Sequence, residues 1–245
     1  MSQQGPDAID TSIRGKTMLS LSFQNQSTVV SDADLQAFIQ DFQSQISNEF
    51  AQTWGVDATV DSGGGGWPIT ILDYPGPNDP QGALGYHDLD QNFTPYGVAF
   101  ARLALDSGIS WTSVASHEGL EILADPLIDS TVFIDTSGGY GLTGILIAQE
   151  VCDAPERLTY PGAINGTEIS DFVFPGWYIP GYPGQVDQLG QVPGPLLLLS
   201  GGYVSYDQVL QATGWQQAFA AKKDKLDPKN IQFLPKKAPR EQKKG

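Results

Sequence analysis

Cysteine, basic residues and long apolar runs are all scarce in this chain of 245 residues. The single cysteine, Cys152, excludes an intrachain disulfide framework and any zinc site built from several thiolates. No apolar run approaches the roughly 20 residues that a transmembrane helix needs. The N-terminus lacks a basic stretch followed by an apolar one, so the sequence predicts no secretory signal and no membrane span.

The few basic residues are unevenly placed. The chain has 13 Lys and Arg against 28 Asp and Glu, and nine of the 13 lie in residues 222–245. That segment carries +6, whereas the preceding 221 residues carry −21. Such an acidic body does not bind nucleic acid through its own surface. The basic tail is suited to nucleic acid or to an acidic surface, either on a partner or on the chain's own body, and the alternative is a solvated, mostly disordered tail.

Apolar and turn-forming residues, in contrast, are plentiful. The chain is 40% hydrophobic and 10% aromatic, with 28 Gly and 17 Pro. This is enough apolar surface for a sizeable core, and the Gly and Pro content indicates many loops. We expect a flexible segment over 1–16, one domain over 17–221 and a basic tail over 222–245.

Residue periodicity predicts an α+β fold. The predicted strands are Thr17–Phe23, Trp67–Tyr74, Ala83–Asp88, Gly97–Arg102, Thr131–Asp135 and Leu146–Cys152. The predicted helices run from Ser31 to near Gly55, over Ser107–Ala124 with a stop at Asp125-Pro126, and over Asp207–Lys223. The run Gly63–Gly66 is interpreted as a flexible connection, because no Lys-Ser/Thr follows it. Residues 153–202 are expected to form long packed loops.

The most informative segment is Ser116-His117-Glu118-Gly119-Leu120-Glu121 in the second predicted helix. Because His117 and Glu121 are four residues apart, they lie on one helix face and can offer an imidazole and a carboxylate to one cation. Glu118 lies about 100° around the helix, where it can act as a general base. The alternative is a solvent-facing charged stripe. Apolar neighbours predict burial instead, and a buried His-Glu-Glu cluster needs partners or a cation.

This H-E-x-x-E spacing resembles the H-E-x-x-H motif of zincin metallopeptidases, with the second histidine replaced by glutamate. The strings SHEGLEILADP (116–126), AQEVCDAPE (148–156) and ISDFVFPGWY (169–178) resemble a family of uncharacterised bacterial and phage proteins. The resemblance covers about residues 17–220. It implies a zincin-like fold similar to a degenerate metzincin or gluzincin. In that fold, a mixed twisted sheet lies over two helices, the second carries H-E-x-x-E, and a loop-rich C-terminal part follows.

The third metal ligand is expected among the acids downstream of His117. Gluzincins take theirs from a glutamate well after the helix, which makes Glu150 the first candidate, followed by Asp153 and Asp125. On the predicted strand Leu146–Cys152, Glu150 and Cys152 face one way and Asp153 the other. Cys152 is interpreted as a small buried apolar residue. His87, beside the expected cleft, is interpreted as a structural histidine, with a ligand or substrate contact as the alternative.

The sequence also departs from the metzincin pattern. The position ten residues after His117 is Leu127 rather than histidine, and the only methionines are Met1 and Met18, which excludes a Met-turn. One imidazole with two carboxylates leaves a Zn²⁺ site formally neutral, so it should acidify water less. Oxygen-rich ligation also suits Mn²⁺ or Ca²⁺.

Two functions fit these observations. The first is a metal-dependent, peptidase-like hydrolase in which His117 and Glu121 bind the ion and Glu118 activates water against a peptide or protein substrate. The second is a catalytically inactive zincin-like scaffold without a cofactor. Such a scaffold would be a virion or surface component whose loops over 153–205 contact protein partners in an assembly. Either function fits a cytoplasmic or virion-associated protein.

Overall fold

The computed structural model describes residues 19–137, 143–209, 211 and 214–220, and the backbone of 233–235. Its helices are α1 (Asp32–Gln45), α2 (Ala51–Trp54), α3 (Ala101–Asp106) and α4 (Trp111–Ala124), with a π-helical turn at Ile46–Phe50 and a 3₁₀ turn at Pro175–Tyr178. Its strands are β1 (Leu19–Asn25), β2 (Ala58–Asp61), β3 (Trp67–Leu72), β4 (Gly85–Leu89), β5 (Pro95–Phe100), β6 (Thr131–Asp135), β7 (Gly144–Ala148), β8 (Thr159–Pro161), β9 (Glu168–Ser170), β10 (Tyr203–Val209), β11 (Gln216–Phe219) and β12 (Phe233–Pro235).

The first half of the chain builds a mixed five-stranded sheet with the order β2-β1-β3-β5-β4. β1, β2, β3 and β5 run parallel, and β4 pairs antiparallel with β5 at the edge. Helices α1 and α4 meet where Gly119 faces Phe42, close to Ile69 of β3. The predicted α+β class is therefore confirmed. No helix in the described ranges has the length and apolar character that a membrane crossing requires.

Helix α1 forms where the sequence predicts it. Ser31 caps its N-terminus, accepting from the Asp34 backbone N–H, while the Asp34 side chain accepts from the Ser31 N–H. The helical segment continues through the π-helical turn and α2 to Gly55, whose φ of 70° closes it in the left-handed conformation. Phe38 and Phe42 on its inner face are fully buried. These side chains anchor α1 against the sheet.

The second half of the chain forms an antiparallel sheet with the order β12-β11-β10-β7-β6. The predicted helix over Asp207–Lys223 is wrong, because this stretch contains the end of β10 and all of β11, with Gly214 at a φ of 67° between them. β10 pairs with β7 as well as with β11, so tertiary pairing overrides the helical spacing of the apolar residues. Leu210 and residues 221–223 lie outside the described residues.

The boundaries around α3 and α4 differ from prediction. The strand predicted over Gly97–Arg102 ends at Phe100 and continues as α3, and α4 begins only at Trp111. Ser110 occupies the N-cap position of α4, but its side chain makes no capping hydrogen bond.

The run Gly63–Gly66 does connect two strands, yet Gly66 is packed so tightly that a Cβ would lie 2.2 Å from the Ser20 carbonyl oxygen. Close packing therefore requires glycine at this end of the connection.

Buried apolar residues from both large sheets and from α1 and α4 belong to one core. Loops of the segment 153–202 pack into it, as the fully buried Phe172 and the nearly buried Trp177 show. The predicted domain limits at 17 and 221 stay a prediction, because both positions lie outside the described residues.

We expect Gly119→Ala to destabilise the fold, although alanine is the better helix former. A Cβ at Gly119 would lie 2.6 Å from the Phe42 ring, which is fully buried and in contact with the rings of Phe23 and Phe38. The expected loss is about 1–3 kcal/mol of unfolding free energy, measured by urea denaturation. Gly65→Ala is the matched control, because nothing lies within 4 Å of its Cβ position. Equal effects of the two substitutions would contradict this packing.

A second expectation concerns two fully buried acids in the C-terminal loops, Asp171 and Asp187. The Asp187 carboxylate accepts from the backbone N–H groups of Gln191 (2.9 Å) and Val192 (3.2 Å). Burial, together with the neighbouring Asp187 carboxylate, raises the pKa of Asp171 to about 8. Asp171 therefore holds a proton in the folded chain at a pH where an unfolded aspartate has lost it.

The unfolding free energy should therefore fall as pH rises from about 4 towards 9. The stability linked to the Asp171 proton is fully present below the unfolded pKa of about 3.9 and is lost as pH rises through the folded value. The slope is at most about 1.4 kcal/mol per pH unit. Asp171→Asn should flatten this dependence, whereas Asn at the exposed Asp129 should not. An unchanged pH profile in Asp171→Asn would contradict the raised pKa.

Candidate metal centre

Helix α4 brings the two outer residues of the H-E-x-x-E motif together, as their spacing predicts. His117 Nε2 lies 3.2 Å from Glu121 Oε2. The Glu121 side chain is only 3% exposed. Its other oxygen, Oε1, accepts a hydrogen bond of 3.1 Å from the backbone N–H of Cys152. One carboxylate oxygen is thereby fixed by the backbone, and the other faces the imidazole.

A turn, not a strand, carries the downstream acids. β7 ends at Ala148, and residues 151–157 form turns, so the prediction of a strand over Leu146–Cys152 is wrong beyond Ala148. The strict alternation expected of a strand does not apply here. Consequently Glu150 and Asp153 both reach the histidines, with Asp153 Oδ1 3.4 Å from His117 Nε2 and Glu150 Oε2 3.4 Å from His87 Nε2.

The core holds this turn in place. The Val151 carbonyl accepts from the Val173 N–H at 2.8 Å, and the Asp153 carbonyl accepts from the Tyr203 N–H at 3.1 Å. A Cβ at Gly202 would lie 2.2 Å from the Ala154 carbonyl oxygen, so glycine is needed for β10 to begin this close to the turn. The position of Asp153 is thus set by buried backbone rather than by a mobile loop.

His87 enters the cluster from the edge strand β4. Its Nδ1 lies 3.1 Å from Glu118 Oε2 and 3.4 Å from Glu121 Oε2, and its side chain is 9% exposed. Gly85 permits this close approach of β4, because a Cβ there would lie 2.6 Å from Glu118 Oε1. The interpretation of His87 as a purely structural histidine overlooked this contact with the motif.

Each imidazole also faces a second carboxylate with its other ring nitrogen. Glu150 lies beside Nε2 of His87, and Glu156 Oε2 lies 3.4 Å from Nδ1 of His117. Metal-binding histidines usually have such an outer partner, which fixes the ring and its tautomer. Glu150, the first predicted ligand, lies beside His87 Nε2 and belongs to neither three-residue group among the described residues. Glu156 was not predicted, although its spacing of three residues from Asp153 was visible in the sequence.

Asp125, the remaining predicted ligand, is used elsewhere. Its Oδ2 accepts from the Ser130 N–H at 2.9 Å, and its Oδ1 accepts from the Asp129 N–H at 3.3 Å. The side chain is buried, and it closes the turn that follows α4. Asp125 belongs to neither of the potential metal-ligand groups in the described part of the chain, so the structure does not bring it together with His117 and Glu121.

Electrostatics within the cluster are strong. Burial alone would lower the pKa of His87, but the carboxylates of Glu150, Glu118 and Glu121 outweigh it and raise that pKa to about 10. The pKa of His117 is likewise raised, against burial, chiefly by Glu121 and Asp153. Burial and the nearby Glu121 raise the pKa of Asp153. The ionised carboxylates are therefore stabilised by nearby positive charge. Either protonated imidazoles or a bound cation can supply it.

Among the described residues, two sets of three have side chains close enough together to hold a metal ion. His117, Glu121 and Asp153 form one, and His87, Glu118 and Glu121 form the other, with the ligand atoms of each set within 4.8 Å of one another. Within the described part of the chain, Asp153 Oδ1 is buried and makes no hydrogen bond of good geometry beyond its 3.4 Å contact with His117 Nε2. Cys152 is also buried, and burial raises the pKa of its thiol, as expected for a residue that packs and does not react.

A cleft of about 390 Å³ opens beside His117 and Glu118. Leu84, Arg157 and Tyr203 contribute to its walls. Arg157 is the only Lys or Arg between residues 103 and 221, and its backbone has a φ of 68°, which is unusual for a residue other than glycine. The cleft gives a small molecule or a chain segment access to one side of the acidic cluster.

No known protein family, curated protein or solved structure matches this chain. The chemistry of the cluster is therefore inferred from its own geometry.

Proposed function

We propose that the protein is a metal-dependent hydrolase of the peptidase type, with a divalent ion held by His117, Glu121 and Asp153. The third ligand is Asp153 and not the first sequence candidate, Glu150. The proposed fold is zincin-like, in keeping with the mixed sheet and with the position of the motif on α4.

One observation carries the proposal. Among the described residues, Asp153 Oδ1 is buried, makes no hydrogen bond of good geometry and lies 3.4 Å from His117 Nε2, beside Glu121. A buried oxygen left in this state is costly unless something else binds it. The donor separations of 3.2 Å and 3.4 Å are those of ligands around one ion, since ion–ligand distances of about 2.0–2.2 Å place tetrahedral neighbours about 3.4 Å apart. A cation satisfies all three residues together.

A divalent ion at this position would polarise a substrate carbonyl and favour deprotonation of an attacking water. Glu118 follows His117 on α4 and borders the cleft, where its carboxylate can accept the proton from that water. Glu156 orients the His117 ring through Nδ1. Arg157 is the only Lys or Arg among the residues that line the cleft, and its side chain is suited to a carboxylate or carbonyl of a peptide substrate.

Metal-dependent cleavage tests this function. The full-length chain is stripped with a chelator, dialysed, and supplied separately with Zn²⁺, Mn²⁺ or Ca²⁺ before incubation with a mixed peptide library. We expect cleavage with at least one ion and its loss on renewed chelation. Tight binding of an ion without any cleavage would refute the hydrolase function and favour the structural scaffold. Failure to bind any of the three ions would refute the metal site itself.

A further inference from the structure

The cluster has more metal-binding groups than one ion can use. After His117, Glu121 and Asp153 are assigned to the proposed ion, His87 and Glu118 still face each other at 3.1 Å. Glu121 Oε2 is common to both sets, lying 3.4 Å from His87 Nδ1 and 3.2 Å from His117 Nε2. In the described residues, neither set contains both histidines. The ligand atoms thus define two positions that meet at one carboxylate.

We infer that the site binds two divalent ions bridged by Glu121, the second held by His87 Nδ1 and Glu118. This inference rests on the proposed function and deepens it from one ion to a dinuclear centre. Both ions should be of the transition-metal type, such as Zn²⁺ or Mn²⁺, because each position combines an imidazole with carboxylates.

The surroundings of His87 repeat those of His117. In each case one ring nitrogen faces Glu121 while the other faces an outer carboxylate at 3.4 Å, Glu150 for His87 and Glu156 for His117. A histidine that served only to offset the motif charge would need no such partner. In the described residues, Asp153 Oδ1 of the same buried cluster makes no hydrogen bond of good geometry, and its contact with His117 Nε2 is 3.4 Å long.

Charge also favours a second ion. The cluster has five carboxylates: Glu118, Glu121, Glu150, Asp153 and Glu156. These five acids can carry more negative charge than one divalent ion neutralises, and a second ion would offset more of it. Buried charge that is not compensated is strongly unfavourable. Arg157, which follows Glu156 in the chain, is the only Lys or Arg between residues 103 and 221.

Two ions would change how the site handles a substrate. Dinuclear hydrolase sites hold their ions about 3.5–4 Å apart and stabilise both the attacking and the leaving oxygen. In this arrangement Glu118 would bind the second ion through Oε2. Its Oε1, which approaches Gly85, would remain available to accept a proton.

Metal counting tests the dinuclear centre. The metal-free full-length chain is titrated separately with Zn²⁺ and Mn²⁺ by calorimetry, and bound metal is counted by mass spectrometry after gel filtration. We expect two ions per chain for at least one metal, and one ion per chain in His87→Ala. The Mn²⁺ sample should give the electron paramagnetic resonance spectrum of an exchange-coupled pair, which His87→Ala converts to that of an isolated ion.

Two further variants protect the test against misfolding. Glu150→Gln keeps the shape of the side chain beside His87. It should weaken binding of the second ion about 10–100-fold and leave binding of the first ion unchanged. Asp88→Asn, an exposed change on the same strand, should still bind two ions. One ion per wild-type chain, or two ions without magnetic coupling, would overturn the bridged pair and leave the single-ion hydrolase standing. If the wild-type chain binds neither metal, both proposals are overturned.

Discussion

Replacing Glu118 with glutamine should reduce metal-dependent cleavage by about 10²–10⁴-fold, the usual cost of losing a general base. Glutamine keeps the size of the side chain but cannot accept the proton from the attacking water. The ion held by His117, Glu121 and Asp153 should remain, because Glu118 is not among its ligands. Cleavage is measured as kcat/KM on the best library peptide, and bound metal is counted in the same samples.

The control for this variant is Glu168→Gln, which removes an exposed carboxylate from β9 outside the cluster. It should leave cleavage within a factor of two or so of wild type, in line with the small effects of surface substitutions. Wild-type kcat/KM in Glu118→Gln would contradict the assignment of Glu118 as the base. A loss of all bound metal in that variant would contradict the ligand set of the first ion.

Replacing His117 with alanine should abolish binding of the first ion. The folded state should then lose the stabilisation that the bound ion confers. A ligand at 100 times its Kd stabilises the folded state by about 2.7 kcal/mol. For a chain of this size that corresponds to about 5–10 °C in Tm. The rise in Tm on adding saturating Zn²⁺ should therefore be smaller in His117→Ala by about this amount, as measured by calorimetry.

Wild-type protein with excess chelator provides the matching reference state for His117→Ala. The chelated wild type and the chelated variant should differ much less than the two Zn²⁺-loaded proteins do. If His117→Ala gains as much Tm from Zn²⁺ as the wild type does, the ion binds elsewhere, and the assignment of His117 fails.

Much of the architecture could be predicted from local sequence. Helix α1 begins at Ser31 and its helical segment ends at Gly55, both of which the sequence marks with capping chemistry. The strand Thr131–Asp135 is confirmed residue for residue. The predicted helix over Asp207–Lys223 failed because β7 supplies a pairing partner from a distant part of the chain, which periodicity within one segment does not reveal.

Some residues of the candidate site could likewise be predicted from local spacing, whereas others reach it only through tertiary contacts. His117, Glu118 and Glu121 share one helical turn, so their spacing alone predicts that they meet. His87 lies 30 residues before His117 and reaches the motif only because β4 pairs with β5. Asp153 reaches it because Cys152 donates to Glu121 and the chain turns after β7. These contacts depend on tertiary structure, so the choice between Glu150 and Asp153 could not be made from residue spacing.

Anomalous diffraction from crystals of the full chain grown with Zn²⁺ tests the central claim, that the cluster is a metal centre, most directly. Data on both sides of the zinc absorption edge should show an anomalous peak about 2.0–2.2 Å from His117 Nε2 and from oxygens of Glu121 and Asp153. A cluster free of anomalous density at saturating Zn²⁺, with the histidine rings contacting only carboxylates, would contradict it.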